Sequence, residues 1–202
     1  MRLLFTLVFL SFPLFANMGA LLIIPKDGAF VMGVYSGSSS VSTDIQTDST
    51  DALLDGRRTS IDNTDALLGG YVGVQNSYYR FSLSYDLTNS SELELERFLL
   101  NFDFMIGDKD GFRPMLGFGI GPTISEYTLD NRIISQSKGV IVFRAGTEYS
   151  INRQNSFEVL LEYSHMLDSV GSKSYSDGTD FTSYKIESQH GIMLRIGYNF
   201  EF

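Results

Sequence analysis

Two histidines, His165 and His190, are the first candidates for catalysis in this 202-residue chain. The segment EYSHMLDS places Ser164, Asp168 and Ser169 close to His165. A hydrolase with a catalytic triad needs a serine nucleophile, a histidine base and an orienting carboxylate within hydrogen-bond reach of one another. This spacing aligns no nucleophile with a base, and His165 shares the parity of the apolar residues around it. The sequence therefore predicts that the protein is not an enzyme and uses no cofactor.

Charged residues of both signs form the second candidate site, and their chemistry would be ion pairing. Arg144 and Glu162 are equally far from a tight turn near Arg153, so an antiparallel hairpin would place them opposite each other. Arg195 would lie at a comparable depth on the strand beside Glu162. Because a buried charge is costly without a partner of opposite sign, we expect these three side chains to form one stack.

The same count around the turn sets two carboxylates against each other. Glu148 and Glu158 fall opposite, so Arg113 on a neighbouring strand must compensate at least one of them. The predicted charge network comprises Arg144, Glu162, Arg195, Arg113, Glu148 and Glu158. Other charges share its side of the predicted strands: Arg80, Arg97, Asp86, Asp103 and Glu201.

The elements that position these charges are predicted to be β-strands, because apolar and polar residues alternate with a period of two. Eight segments show the alternation, although glycines leave the faces of the first two unassigned. They are AFVMGVYSG (29–37), ALLGGYVGVQ (66–75), SYYRFSLSYDL (77–87), ERFLLNFDFMIG (96–107), FRPMLGFGIGP (112–122), GVIVFRAGTEYSI (139–151), NSFEVLLEYSHM (155–166) and HGIMLRIGYNFEF (190–202).

The connections between these segments differ in length. Three are short and polar, at 75–77, 107–111 and 151–155. The other four are predicted to be longer or more variable, at about 37–65, 87–92, 121–138 and 167–189. An even strand count with short turns on one side is typical of a membrane-spanning barrel. We therefore predict an all-β fold, an eight-stranded antiparallel up-and-down transmembrane β-barrel with short periplasmic turns and longer extracellular loops.

The composition of the two faces indicates which of them is dry. The apolar set is rich in Tyr and Phe near the strand ends, as in the aromatic girdles of membrane barrels. The opposite set carries charges and glycines, which suit a narrow, polar interior. A soluble barrel would invert this pattern and point its apolar set inward.

The ends and the overall charge constrain the location and the partners. Residues 1–16 have one basic residue, an apolar run and Ala16 at their end, which predicts a signal peptide. We expect residues 17–27 to form an N-terminal periplasmic segment and 28–202 to form the barrel. The net charge of −9 argues against a nucleic-acid partner. With no cysteine in the chain, disulfides and thiolate sites are excluded.

Three stretches carry a family resemblance: GGYVGVQNSYYRFSLSYDL (69–87), RPMLGFGIGP (113–122) and RIGYNFEF (195–202). They resemble the small eight-stranded outer-membrane barrels of Gram-negative bacteria, the group of outer membrane protein X and the barrel half of outer membrane protein A. The resemblance implies an outer-membrane location, contact with membrane lipid and lipopolysaccharide, and insertion by the outer-membrane assembly machinery. It also implies that Tyr198, Phe200 and Phe202 act as the assembly signal.

The same resemblance bears on catalysis and on function. In the lipid A deacylase barrels a strand-borne histidine is followed two residues later by serine, and the matching position here is Leu167. We therefore expect a non-enzymatic protein that contributes to envelope structure and to surface interaction through its extracellular loops, with an unidentified extracellular partner. An eight-stranded barrel is just wide enough to be filled by its own side chains, so we expect the charge network to plug the lumen. The alternative is a narrow porin-like channel for ions or small solutes.

Overall fold

The computed structural model describes residues 28–50, 55–90, 93–129, 132–167, 172–177 and 180–202. The predicted signal peptide at 1–16 and the whole segment at 17–27 lie outside the described residues. Within them the chain forms strands β1 (Ala29–Ser49), β2 (Arg57–Gln75), β3 (Tyr79–Asn89), β4 (Leu93–Met105), β5 (Phe112–Leu129), β6 (Arg132–Ser150), β7 (Asn155–Met166), β8 (Ser172–Asp177) and β9 (Asp180–Glu201). No helix in this part of the chain is long and apolar enough to cross a membrane.

Eight of the strands close into a ring. Strands β1 to β7 pair in chain order, β7 then pairs with β9, and β9 pairs with β1 to complete the circle. Every pairing is antiparallel. Strand β8 belongs to the same sheet but not to the closed circle, and it pairs with residues 180–185 of β9. The predicted eight-stranded antiparallel up-and-down barrel is therefore confirmed.

The alternation of the strands sorts side chains between the outside and the lumen, as predicted. Between the short turns and residues 38–49, 57–66, 123–129, 132–139 and 180–189, the charged residues of β3 to β7 and β9 point inward, whereas large apolar side chains form an exposed outer band. Members of this band include Phe81, Leu83, Leu100, Phe102, Phe104, Leu116, Phe118, Ile120, Phe143, Phe157, Leu161, Tyr163, Leu194, Ile196 and Tyr198. Such a band is what a strand presents to lipid.

The predicted bounds of three long loops are wrong, because much of those segments is strand. Strands β1 and β2 stay paired as far as Thr47 and Arg57, and β5 and β6 as far as Leu129 and Arg132. Residues 38–49, 57–66, 123–129, 132–139 and 180–189 thus continue the barrel walls beyond the apolar band, and we call them the strand extension. The strand extension is at one end of the barrel. The short turns are at the other end, together with residues 28 and 202.

The strand extension was missed because its polarity is the reverse of that in the apolar band. Its outward residues on β1 are polar, such as Ser40 and Ser42, while Val41 and Ile45 point inward. An apolar core fills the lumen at the level of the strand extension. It contains Val41, Ile45, Leu67, Leu93, Leu95, Tyr127, Ile134, Tyr184, Ile186 and Met193. An apolar outer face is the correct pattern for a barrel strand only where the outside is lipid.

Candidate functional site: the charged lumen

The lumen holds five arginines and five carboxylates between the apolar core and the short-turn end of the barrel. All ten side chains are buried: Arg80, Arg97, Arg113, Arg144, Arg195, Asp86, Asp103, Glu148, Glu158 and Glu162. Their formal charges cancel. The six predicted network residues belong to this set, and strands β3 and β4 supply the other four.

Glu162 is the centre of the part of the network nearer the strand extension. Its carboxylate lies 3.1 Å from Nε of Arg144 and 3.3 Å from Nη2 of Arg97. It also accepts a hydrogen bond from Nη2 of Arg195. The structure therefore brings together the predicted stack of Arg144, Glu162 and Arg195, and it places Arg144 opposite Glu162 in the register of β6 and β7.

Asp86 on β3 is the second carboxylate at this level. It lies 2.6 Å from Nη2 of Arg97 and 3.3 Å from Nη1 of Arg195, and it accepts a hydrogen bond from the hydroxyl of Tyr35. Arg97 and Arg195 therefore each bridge Asp86 and Glu162. The bridges cross the lumen, because Asp86 and Glu162 are on strands that do not pair.

Arg80 organises the part of the network nearer the short-turn end. Its guanidinium lies 3.1 Å from Asp103, 2.9 Å from Glu158 and 3.6 Å from Glu148. Arg113 pairs with Glu148 at 2.7 Å. Glu148 and Glu158 are opposite each other in the register, as predicted. Arg113 compensates Glu148, as one of the predicted options had it, while Arg80 is the partner of Glu158.

Two tyrosines complete the network, and sequence reasoning missed both. The guanidinium carbon of Arg80 lies 4.6 Å from the ring centre of Tyr71. The guanidinium carbon of Arg195 lies 4.2 Å from the ring centre of Tyr35. Such cation–π contacts add attraction in a desolvated site. Inward-facing glycines of β1 and β2 make room for the rings, since a Cβ at Gly33 would clash with Tyr71. These same glycines hid the faces of the two strands in the sequence.

Four charged residues on the predicted polar face had no predicted partner: Arg80, Arg97, Asp86 and Asp103. The structure sets Arg80 opposite Asp103 and Asp86 opposite Arg97. These two pairs share one midpoint in the chain. That common midpoint was a usable signal for the register of β3 and β4.

One small cavity lies in the lumen beside the charges. A cavity of about 10 Å³ lies between Arg97 and the apolar core, with Val41, Thr123 and Gln189 among its walls. This is about the volume one water molecule needs. A larger cavity of about 270 Å³ lies at the short-turn end, lined among others by Lys109 and Glu201, which form an ion pair at 2.6 Å.

Two residues of the predicted assembly signal, Tyr198 and Phe200, lie on the outward face of β9, and Phe202 directly follows the strand. Tyr198 and Phe202 are exposed and Phe200 is partly buried. The ring of Tyr198 packs edge-on against Phe157 of β7. The backbone N–H of Phe202 donates to the carbonyl of Phe30 at 2.9 Å, so this residue also helps to close the ring. Their role in assembly stays a prediction.

The histidines lie apart from the lumen. His165 and His190 are exposed on the outward face of β7 and β9. Ser164 faces the lumen and donates to the carbonyl of Gly191, so its hydroxyl is on the other side of the sheet from His165. Asp168 and Ser169 lie outside the described residues. The exposed Leu167 follows His165 on the same face.

Comparison with solved structures finds the same fold in outer-membrane proteins. The crystal structure of Neisserial surface protein A matches with a TM-score of 0.63 at 11% identity, covering 86% of this chain and 97% of that one. The N-terminal β-barrel domain of Pseudomonas aeruginosa OprF matches with a TM-score of 0.51 at 15% identity, covering 81% and 99%. No protein-family model and no curated protein matches the sequence. At these identities the likeness establishes the fold, a small eight-stranded transmembrane barrel.

Proposed function

We propose that this chain is a non-enzymatic protein of the outer membrane of a Gram-negative bacterium. In this proposal the barrel contributes to envelope structure, the strand extension and its connections face the exterior for surface interaction, and the lumen is plugged. The observation that carries the proposal is the charge-balanced set of buried arginines and carboxylates across the lumen. Outer-membrane lipid, lipopolysaccharide and the assembly machinery are the partners it implies.

The outer-membrane location is supported by the outside of the barrel. The apolar band is exposed, as with Phe118 and Ile196, and water would penalise so large an apolar surface on a monomeric soluble protein. Polar outward residues return in the strand extension, where the barrel would leave the lipid. The predicted signal peptide at 1–16 provides the route of export.

The plug is supported by the energetics of ion pairs. Removing one partner of a buried pair leaves an uncompensated charge and costs about 3–5 kcal/mol. An ion crossing this lumen would have to separate such pairs, for example Arg97 from Asp86 at 2.6 Å. It would also have to pass the apolar core at the level of the strand extension, where Ile45 and Leu93 are fully buried. Two barriers of different chemistry thus lie in series.

Single-channel recording across a planar bilayer tests this proposal. We expect no steady conductance from the refolded protein, with refolding verified by the gel shift between boiled and unboiled samples. Glu162→Ala should leave the bilayer silent as well, because the apolar core would still block the lumen. A reproducible conductance that changes with Glu162→Ala but not with Glu126→Ala, an exposed outward carboxylate on β5, would contradict the plug.

A narrow porin-like channel is the second candidate, and the cavity of about 270 Å³ at the short-turn end favours it. Its charged rim, with Lys109 and Glu201, could admit small ions to the first layer of the network. In this case the wild-type recording should show discrete openings whose ion selectivity depends on Arg195. The same experiment therefore decides between the two candidates.

A further inference from the structure

The two histidines of the chain lie directly opposite each other on neighbouring strands. His165 of β7 pairs with His190 of β9 in antiparallel register, and both side chains are exposed on the outward face. Opposite residues of an antiparallel pair have Cβ atoms about 4.5–5.5 Å apart. The lumen network does not include either histidine side chain, and ring closure at His190 involves its backbone pairing with β1.

The pair lies where the apolar band meets the strand extension. Tyr163 precedes His165 on the outward face of β7. On β1, Ser42 is opposite His190, and Asp44 lies two residues further on the same face. The Asp44 carboxylate accepts a hydrogen bond of 2.7 Å from Ser188 of β9. A negative charge is therefore held near His190, on the side of β9 away from His165.

Two cross-strand imidazoles are a natural chelate for a transition-metal ion. Neutral imidazole suits Zn²⁺, Cu²⁺ and Ni²⁺, and a Zn–N bond is about 2.0–2.1 Å long. With their Cβ atoms this close, both rings can reach one ion. The paired strands hold both backbones in place, so binding orders little beyond the two side chains. The chain has no cysteine that would compete for the ion.

We propose that His165 and His190 form a two-histidine site for a transition-metal ion of the Zn²⁺ class at the rim of the barrel. The described residues contain no group of three or more His, Asp or Glu side chains arranged to hold a metal. Water therefore completes the coordination, and Asp44 contributes through its charge.

Calorimetric titration of the refolded, metal-free full chain in detergent micelles with ZnCl₂ tests the site. We expect saturation at one ion per chain, with excess Ca²⁺ failing to displace it because imidazole is a poor ligand for hard cations. His165→Ala and His190→Ala should each weaken binding by about tenfold or more, since even an outer partner of a metal ligand is worth 10–100-fold. The double variant should be little worse than either single one, because the chelate is already lost.

Ser42→Ala is the matched control, since Ser42 faces His190 and its removal should leave the affinity unchanged. The gel shift verifies that each variant folds. The proposal is overturned if the wild type shows no saturable Zn²⁺ binding, or if either histidine variant binds as tightly as the wild type. A loss confined to Asp44→Asn would also overturn it, because carboxylates and not imidazoles would then be the ligands.

Discussion

Glu162 contacts three arginines that come from three different strands of the ring: Arg97 of β4, Arg144 of β6 and Arg195 of β9. Its side chain is fully buried. In a desolvated lumen each of these guanidinium groups would repel the others without a carboxylate between them. At the scale of the residue, this side chain is therefore the one on which the charge balance of the network most depends.

Replacing Glu162 by alanine should lower the free energy of unfolding by about 3–5 kcal/mol, the usual cost of leaving a buried charge without its partner. Urea unfolding of the refolded barrel, followed by the gel shift or by tyrosine fluorescence, measures the change. Glu126→Ala removes an exposed carboxylate and should stay within about 0.5 kcal/mol. Equal losses in the two variants would show that the lumen network does not hold the barrel together.

At the scale of the element, one strand serves two environments. Within the apolar band β1 shows exposed Val34 outside and Tyr35 inside, whereas in the strand extension it shows Ser40 outside and Ile45 inside. Lipid outside requires apolar outward residues and permits charges in the lumen. Water outside requires polar outward residues. The apolar residues of the strand extension therefore face the lumen, where they form a core.

Ile45→Ala should destabilise the strand extension while leaving the rest of the barrel folded. Ile45 is fully buried in the apolar core, and such a truncation costs about 2–5 kcal/mol where a cavity remains. Hydrogen exchange should speed up in residues 38–49 and 57–66 while protection persists in the apolar band. Val34→Ala on the same strand, facing outward, is the control and should leave the exchange of the extension unchanged. Equal loss of protection over the whole barrel would show that the strand extension and the apolar band do not unfold separately.

At the scale of the whole molecule, the ring depends on the pairing of β1 with β9, which runs from Val31 and Glu201 to Ser49 and Thr182. Closure removes both sheet edges from the lipid, where an unpaired backbone group is very costly. The C-terminal strand therefore has two roles in our proposal, as the closing strand and as the carrier of the assembly signal.

Phe202→Ala should reduce the amount of folded protein in the outer membrane of cells several-fold, while spontaneous refolding into detergent proceeds as before. The reason is that the aromatic ring would be read by the assembly machinery, whereas the backbone bond to Phe30 is retained. The heat-shifted fraction in envelope preparations measures assembly. Phe112→Ala is a suitable control, because Phe112 is also a well-exposed ring at the same end of the barrel. If both variants accumulate equally in the membrane, Phe202 is not part of the signal.

Several features of this protein were determined by the sequence alone. The alternation of residues in β3 to β7 and β9 records which side of the strand meets lipid, because the strand period of two assigns every side chain to one of two environments. The tight turn near Arg153 likewise determined the register of β6 and β7, and with it the pairing of Arg144 with Glu162. These relations are local, and local spacing is sufficient to predict them.

The tertiary structure decided what depends on contacts between distant strands. Arg80 of β3 meets Glu158 of β7 at 2.9 Å, and Arg97 of β4 meets Glu162 of β7 at 3.3 Å. Such partners face each other across the lumen only after the ring has closed with a particular stagger of its strands. The inward-facing core of the strand extension was equally hidden, since its polarity follows from where the lipid ends. The spacing of residues along a strand does not record the level at which the lipid ends. That level is visible only in the closed barrel, where the strand extension continues beyond the apolar band.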